Sequence, residues 1–318
     1  MYNSTQKTEF LEASDYHETS IELIKLIFNN VETEEIRLQK DLSRFTEIEV
    51  QELLKSFNSK SKARLRMTCA YLSGYYKWCL NNGLTEIKDN PYDANKVDGF
   101  ILNIIPSDII EEKYFNHDAF ISKLKKIKDN TNQFIVYAIY SGIKGDEYVE
   151  LTNLKITDLD EVKKTVRLIT GRTVNVNDMF IDLMKKANEC TYYFADGIEK
   201  SNLYGRYSYA ESGYVLKSCG NGSHAKKPIG LLIINPRLAV IKKQVGNEFF
   251  TVSTIYKNGL INYVKEKFDG KGIDLKTALL SKDNEKLYVF DIETQQYINE
   301  FGSKMTAKML RHELKDYL

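Results

Sequence analysis

Residues 138–160 read AIYSGIKGDEYVELTNLKITDLD, and within them a helical pattern gives way to a strand pattern. The helical part begins earlier, as NQFIVYAIYSG at 132–142, and is apolar on nearly every side, which predicts a buried helix. Beyond Asp158, the segment VKKTVRLITGRTVNVND (162–178) has β-branched residues on both sides of Gly171, which predicts a short strand pair. This half of the chain should therefore combine buried helices with a small β component.

The residues on either side of this stretch extend the helical pattern. Asn116 is a predicted helix N-cap, and it is followed by Phe120, Leu124 and Ile127 on one face. Residues 191–224 are rich in Tyr, Gly and Ser, and they fit either an extended loop or a hairpin. Helical patterns return in two later segments, STIYKNGLINYVKEKF (253–268) and TAKMLRHELKDYL (306–318).

The first part of the chain also carries helical patterns. Thr46 and Glu49 are spaced as a capping box at the start of a helix. Another helix is predicted over 59–82, and Gly83 stands where its C-cap belongs. Turn-forming residues in KDNPYDANKVDG then indicate a domain boundary near 90–100. Two apolar faces are predicted, the first in a helix over 17–30 and the second in the helix over 59–82: Ile21, Ile24, Ile27 and Phe28; Met67, Tyr71, Gly74, Tyr75 and Trp78.

Charge is segregated along the chain. Residues 1–52 hold 12 acidic and 5 basic side chains, a balance of −7, so the formal net charge of +1 leaves +8 for the remainder. Such segregation sets up local fields that the total charge conceals. From Leu53 to Thr85 there is no acidic residue, but there are six basic ones: Lys55, Lys60, Lys62, Arg64, Arg66 and Lys77. This segment is either a surface that holds a polyanion or a basic helix face exposed to water.

The composition excludes several classes of protein. Four cysteines lie at wide spacings without a C-x-x-C pair, which argues against a zinc site or a disulfide framework and favours a reducing cytoplasm. The N-terminal residues do not have the basic and then apolar pattern of a secretory signal. No apolar run approaches the roughly 20 residues of a membrane helix. The sequence therefore predicts a cytoplasmic protein with no metal, no cofactor and no membrane partner.

Three segments resemble the tyrosine recombinases, or phage integrases, in that family's order. SKARLRMTCAYLSGYYKWCLNNGLTEIKDNPYD (61–93) is similar to the end of its core-binding domain, where basic residues precede Tyr-x-x-Trp and Asn-Pro. Residues 138–160 resemble its first catalytic box, Thr-Gly-Leu-Arg-x-x-Glu-Leu followed by Leu-x-x-x-Asp. TAKMLRHEL (306–314) resembles its second box, His-x-Leu-Arg-His. The resemblance implies a mainly α fold with a small β component, in which two domains close around DNA as a clamp.

The resemblance and the boundary near residue 90 together predict the domain organisation. Residues 1–98 should form a helical core-binding domain of the SAM-like type with an acidic N-terminal extension. Residues 99–112 should form a linker. Residues 113–318 should form a catalytic-like domain that lacks the segment with the nucleophile.

The departures from the family's pattern bear on activity. Two arginines of the family clamp the scissile phosphate, but Lys144 stands in the first arginine's place, and a lysine is a point charge without the planar guanidinium fork. Lys308 stands where the second box begins with histidine, whereas Arg311 and His312 match. The family also places a lysine on a hairpin of the catalytic domain, and three residues are candidates for that position: Arg172, Lys226 and Lys227.

The family's nucleophile is a tyrosine roughly thirty residues beyond the second box. Tyr317 is the only tyrosine after His312, and on a helix it shares a face with Leu310 and Leu314, which favours a core-facing role. Either the sequence is a shortened piece, or it is a recombinase fold that no longer recombines. Truncation would not replace the first arginine and the histidine, so the second explanation is favoured.

The predicted function is sequence-specific binding of double-stranded DNA without strand cleavage, as in a transcriptional repressor of a phage or prophage that acts at operator sites. No residue is assigned to catalysis or to a metal. One alternative is an active integrase whose tyrosine comes from a missing tail or a neighbouring protomer, and another is a scaffold that binds a protein partner through acidic residues 1–52.

Arg311 either holds a DNA phosphate or pairs with an acidic neighbour such as Glu147 or Glu313. The oligomeric state stays open. The residues predicted to contact DNA are Lys60, Lys62, Arg64, Arg66, Lys144, Arg172, Lys308, Arg311 and His312.

Overall fold

The chain divides into two compact units, Met1–Ile110 and Glu111–Leu318. The structure is a computed structural model, and it describes residues 1–104, 107–198, 206–219 and 226–314. Both units are mainly helical, and two small antiparallel sheets lie in the second unit. The predicted fold class, mainly α with a small β component, is thereby confirmed.

The first unit is a helical bundle around its own apolar core. The core includes Phe28, Leu53, Leu72 and Tyr75, none of which is exposed. Thr46 begins the third helix with the predicted capping box, because its hydroxyl accepts from the Glu49 amide while the Glu49 carboxylate accepts from the Thr46 amide. The helices are α1 (Ser4–Glu12), α2 (Glu18–Leu38), α3 (Glu47–Ser56), α4 (Lys62–Asn81) and α5 (Ala94–Ile104), with α6 (Ser107–Lys113) at the division between the units.

The predicted apolar face of α4 was partly wrong. Met67 is 37% exposed, whereas smaller residues that the prediction passed over are buried. Both α1 and α5 pack against α4, so its buried surface extends around more of the helix than one aromatic stripe would cover. The buried residues of α4 are Leu65, Thr68, Cys69, Leu72, Tyr75, Tyr76 and Cys79.

Helix α5 occupies part of the range 99–112 that the sequence analysis assigned to a linker. Val97 and Ile101 of this helix are buried in the core of the first unit. Burial of these two side chains stabilises the helix against α4, so the compact first unit extends beyond residue 98 to Ile110.

The second unit is built around one buried helix. This is α8, and residues 134–139 in it are at most 2% exposed, as the sequence predicted. The N-cap at Asn116 and the burial of Phe120 and Leu124 are also confirmed. The helices of this unit are α7 (His117–Leu124), α8 (Asn130–Tyr140), α9 (Val149–Thr152), α10 (Asp178–Glu189), α11 (Leu231–Val245), α12 (Val252–Asp269), α13 (Leu275–Leu280), α14 (Asn284–Phe301) and α15 (Ala307–Leu314).

The strands form two antiparallel sheets. Gly171 lies at the turn of the predicted strand pair with φ of 85°, a left-handed conformation that glycine adopts without strain. In this pair Val166 faces Val174. A further short strand pairs with the first of the two and makes a sheet of three strands. The tyrosine-rich region contains a hairpin in which Tyr193 faces Tyr207. The strands are β1 (Leu159–Asp160), β2 (Thr165–Arg167) and β3 (Thr173–Asn175), then β4 (Tyr192–Phe194) and β5 (Arg206–Ser208).

Candidate nucleic-acid interface

Lys144 lies in the turn that follows α8, between two glycines. Gly142 and Gly145 both have positive φ, of 82° and 70°, which places the lysine on a sharp bend. Its ammonium lies 5.6 Å from the centre of the Tyr256 ring and 6.0 Å from that of Tyr148. Among the described residues, no carboxylate lies within 4.0 Å of this ammonium. Lys144 therefore remains available to an anion.

The turn is longer than the recombinase box predicts. Glu147 and Tyr148 both adopt left-handed conformations, which are strained for residues with side chains. Beyond them, Glu150 is buried at the start of α9. Glu150 and Leu151 repeat the Glu-Leu of the box three positions later, a sequence signal that could have identified this carboxylate. Glu150 was not among the residues predicted from the sequence.

Arg172 joins three parts of the second unit. Its guanidinium donates to the Glu150 carboxylate at 2.9 Å and to the carbonyls of Gly142 and Phe301, both at 2.7 Å. Gly302 leaves room for it, because a Cβ at that position would lie 1.9 Å from Nη1. Arg172 thus stabilises the hairpin after β2 against the turn after α8 and the end of α14.

A cleft of about 730 Å³ opens beside Lys144. Two lysines that the sequence analysis missed also line it, but each holds a carboxylate: Lys257 pairs with Glu313 at 2.6 Å, and Lys304 pairs with Asp146 at 2.8 Å. The cleft is lined by Lys144, Gly145, Asp146, Glu150, Thr170, Val252, Ser253, Tyr256, Lys257, Leu260, Gly302, Ser303, Lys304, Met305 and Met309. Arg172 lines a different cavity, of about 490 Å³.

The charged residues of the second box lie on α15. Arg311 donates to Asp291 of α14 at 2.8 Å, which is the acidic pairing that the sequence analysis left open, with a different partner from those it named. Lys308 and His312 are exposed on the same helix. Within the described part of the chain, neither they nor Arg311 line the cleft beside Lys144. Lys144 and Arg311 therefore do not share that cleft.

Burial and hydrogen bonding oppose each other at Glu313. Burial would raise the pKa of its carboxyl group, but donation from Lys257 and Tyr114 outweighs burial, so the pKa lies below its ordinary value. Glu313 is therefore a charged partner that keeps Lys257 neutralised. Tyr317, the tyrosine that the sequence analysis weighed as a nucleophile, lies outside the described residues.

The basic residues before and within α4 lie on the first unit. Arg64 and Lys60 are exposed, and Lys62 is half-buried. Arg66 pairs with Asp98 of α5 at 2.8 Å, so this cation of the predicted set has a structural partner. Ser61 caps the helix by accepting from the Arg64 amide, which places this basic cluster in the first turns.

No metal or membrane feature appears in the residues that the structure describes. They contain no cluster of three or more His, Cys, Asp and Glu side chains able to hold a metal ion. Nor is any helix among them long and apolar enough to cross a bilayer.

A helical core-binding unit followed by a unit that carries both boxes around buried helices defines a recombinase-like protein. The chain belongs to the MrpR family: the profile described as "MrpR, N-terminal core-binding domain" matches residues 1–81, and that described as "MrpR, C-terminal catalytic domain" matches residues 114–310. The recombinase-like family predicted from the sequence is confirmed.

Two individual proteins are also similar to this chain. YopR, an SPbeta prophage-derived protein of Bacillus subtilis (strain 168), is 20% identical over 334 aligned residues, which span 100% of this chain and 94% of YopR. The crystal structure of XerA recombinase aligns with 98% of this chain and 97% of its own, at 12% identity and a TM-score of 0.34.

Proposed function

We propose that this protein binds double-stranded DNA at specific operator sites without cutting it, and that it acts as a transcriptional repressor of a phage or prophage. Membership of a family with a core-binding domain supports the DNA-binding part. The similarity to a prophage-derived protein supports the phage context.

The first turns of α4 are the proposed site of attraction to the DNA backbone. Arg64 is exposed there, Lys60 is exposed just before the helix, and the first turn contains no acidic residue. Phosphate contacts of this kind give affinity and register, while sequence is read by other side chains in the grooves. Lys144 is proposed to hold a further phosphate in the second unit.

The observation that supports the absence of cleavage is the pairing of the cations around the two boxes. Phosphoryl transfer passes through a transition state with added negative charge, which requires donors that are not already neutralised. Lys257 and Lys304 both hold carboxylates. Arg172 and Arg311 do so as well. Lys144, which lines the cleft without such a partner among the described residues, can hold one DNA phosphate, but it lacks the planar fork of an arginine.

Covalent trapping tests the absence of cleavage. We expect no protein–DNA adduct on nicked suicide substrates and no relaxation of supercoiled plasmid, with the wild type or with Lys144→Arg. The variant is the sharper case, because it restores the guanidinium of the first box while the other cations stay paired. A phosphotyrosyl adduct with either protein would contradict the proposal and favour an active recombinase.

Salt-dependent binding tests the DNA contacts of α4. Replacing Lys60, Lys62 and Arg64 with Ala should weaken binding to every duplex and flatten the plot of log K against log salt by about 0.9 for each lost phosphate contact. Lys25→Ala on α2 is the control, since Lys25 pairs with Glu22 in the acidic segment. Unchanged slopes in the triple variant would mean that this helix is merely solvated. An absence of any salt-dependent binding by the wild type would favour the scaffold alternative.

A further inference from the structure

Three consecutive aliphatic side chains are exposed at the start of α11. Leu232 is 91% exposed, and its neighbours Leu231 and Ile233 are each 36% exposed. The next residue, Ile234, is fully buried, so the helix itself is anchored in the core. Adjacent aliphatic side chains that face water are costly unless they contact something, which makes this apolar tip (Leu231–Ile233) a candidate binding surface.

The apolar tip lies within the longest acid-free segment of the sequence. Between Glu211 and Glu248 there is no Asp or Glu, a longer interval than the one that contains α4. Lys226 and Lys227 precede the tip and are both exposed. The cations of this segment are Lys217, Lys226, Lys227, Arg237, Lys242 and Lys243.

A buried cation adds to the positive charge behind the tip. Arg237 of α11 is 1% exposed, and its guanidinium lies 4.2 Å from the centre of the Tyr193 ring. Among the residues that the structure describes, no carboxylate pairs with it, and its Nε and Nη1 have no hydrogen-bond acceptor. The Asp129 carboxylate interacts with this guanidinium and offsets part of its charge, so the positive character near the tip comes mainly from the exposed lysines Lys226 and Lys227. The surroundings of the apolar tip therefore favour a polyanion.

We propose that the apolar tip enters a groove of the DNA while Lys226 and Lys227 contact the flanking phosphates. This inference rests on the proposed function and specifies how the second unit would engage duplex DNA. Proteins that insert leucine or isoleucine between base steps kink the duplex, and basic side chains hold the backbone on either side. Cores of protein–protein interfaces, in contrast, are depleted of lysine.

The proposed contact has a consequence for sequence preference. Unstacking is least costly at pyrimidine–purine steps, which are flexible and easily kinked. A wedge at Leu232 would therefore make the protein prefer operators with such a step beneath the tip, although no side chain reads those bases. The preference would be a property of DNA deformation.

Bending and affinity measurements on full-length variants test this inference. Leu232→Gln should weaken binding to an operator fragment by about ten-fold, since burial of a leucine is lost. It should also reduce the bend measured by end-to-end energy transfer on that fragment. The salt slope should stay unchanged, because no cation is removed. Lys226→Ala with Lys227→Ala should instead flatten the slope.

Ile48→Gln is the matched control. Ile48 is an exposed aliphatic residue, 69% accessible, but it lies between Glu47 and Glu49 and should not approach DNA. Equal bending and affinity for Leu232→Gln and the wild type would overturn the inference while leaving DNA binding intact. A Leu232→Gln variant that binds DNA normally but loses self-association or capture of a protein partner would also overturn it. Failure of the wild type to bind any duplex would instead remove the proposed function on which the inference rests.

Discussion

Arg311 shows how a residue of a recombinase box can take a structural role. It lies on α15 and donates to Asp291, and both side chains are about one quarter exposed. We expect Arg311→Ala to lower the free energy of unfolding by about 1 kcal/mol, the usual upper value for such a partly solvated pair. Thermal and denaturant unfolding would measure the loss.

Asp291→Asn supplies the comparison for Arg311. It weakens the same pair but keeps the arginine, so both variants should be destabilised to a similar degree. If Arg311 also held a DNA phosphate, Arg311→Ala would weaken operator binding by about 1.5–3 kcal/mol in the folded fraction, whereas Asp291→Asn would not. Equal affinities for the two variants would assign Arg311 to the fold alone.

The acid response of the second unit should depend on Glu313. Its pKa in the folded protein lies below the ordinary value of 4.5, despite burial, because Lys257 and Tyr114 donate to it. Its contribution to stability is therefore complete above pH 4.5 and is lost as the pH falls through the folded pKa. Glu313→Gln should flatten the decline of unfolding free energy as the pH falls below about 4.5. Glu9→Gln, an exposed carboxylate on α1, should leave the decline unchanged.

The candidate site was only partly readable from the sequence. The box resemblance indicated Lys144 because its neighbours along the chain carry the signal, whereas Arg172 was one of three candidates for the hairpin position. It could not identify Asp291 as the partner of Arg311, or Asp146 as the partner of Lys304, since the latter pair is separated by 158 positions. Such pairs depend on how α14 and α15 fold back onto the turn after α8. A local pattern contains no information about that return.

Packing between α8 and α12 depends on one glycine. A Cβ on Gly259 would lie 1.9 Å from the carbonyl oxygen of Tyr140, and this neighbour is backbone that cannot rotate away. We expect Gly259→Ala to destabilise the protein by about 3 kcal/mol, since the two helices would have to separate. Urea unfolding would measure the change.

Gly99→Ala is the control for helical glycines. Gly99 lies within α5 and has nothing within 4 Å of the added Cβ, so the substitution should be neutral or stabilising through helix propensity. Equal unfolding free energies for the Gly99 and Gly259 variants would show that the two helices can adjust to the added methyl group.

Secondary structure was predicted best where one residue type sets the local geometry. The capping box at Thr46 and the N-cap at Asn116 are local hydrogen bonds, and both were found from spacing alone. The third strand of the first sheet and helix α5 were missed because tertiary contacts, rather than local pattern, stabilise such short elements.

Each unit has a core of its own. The core of the first unit is formed between Phe10 and Ile101, and the cores of the second lie between Phe115 and Leu314. A fragment of residues 1–110 should therefore unfold cooperatively in isolation and keep a helical circular dichroism spectrum. A broad, noncooperative transition in the fragment would show that its stability depends on the second unit.

The net charge of the whole molecule does not reveal the two acid-free segments that are proposed to bind DNA. A net charge of +1 suggests little affinity for DNA, yet the acid-free segments at 53–85 and 212–247 lie in different units. Because screening confines fields to roughly 10 Å in dilute salt, each segment acts on its own surroundings. The total charge is therefore a poor guide to binding by this chain.

The second unit is closed by contacts between its first and last residues, and this affects how it can fold during synthesis. The side chain of Asn258 accepts from the Phe115 amide and donates to the Lys113 carbonyl, across 143 and 145 positions. Tyr114 donates to Glu313 across 199 positions. The backbone of residues 113–115 therefore cannot form these hydrogen bonds until α12 has left the ribosome, and the Tyr114 side chain cannot form its bond until α15 has done so. Since loop closure over such distances is slow, the first unit should be native well before the second. During that interval the nascent chain would consist of a folded core-binding unit attached to an incompletely folded second unit. At this stage the chain would be most accessible to proteases and chaperones.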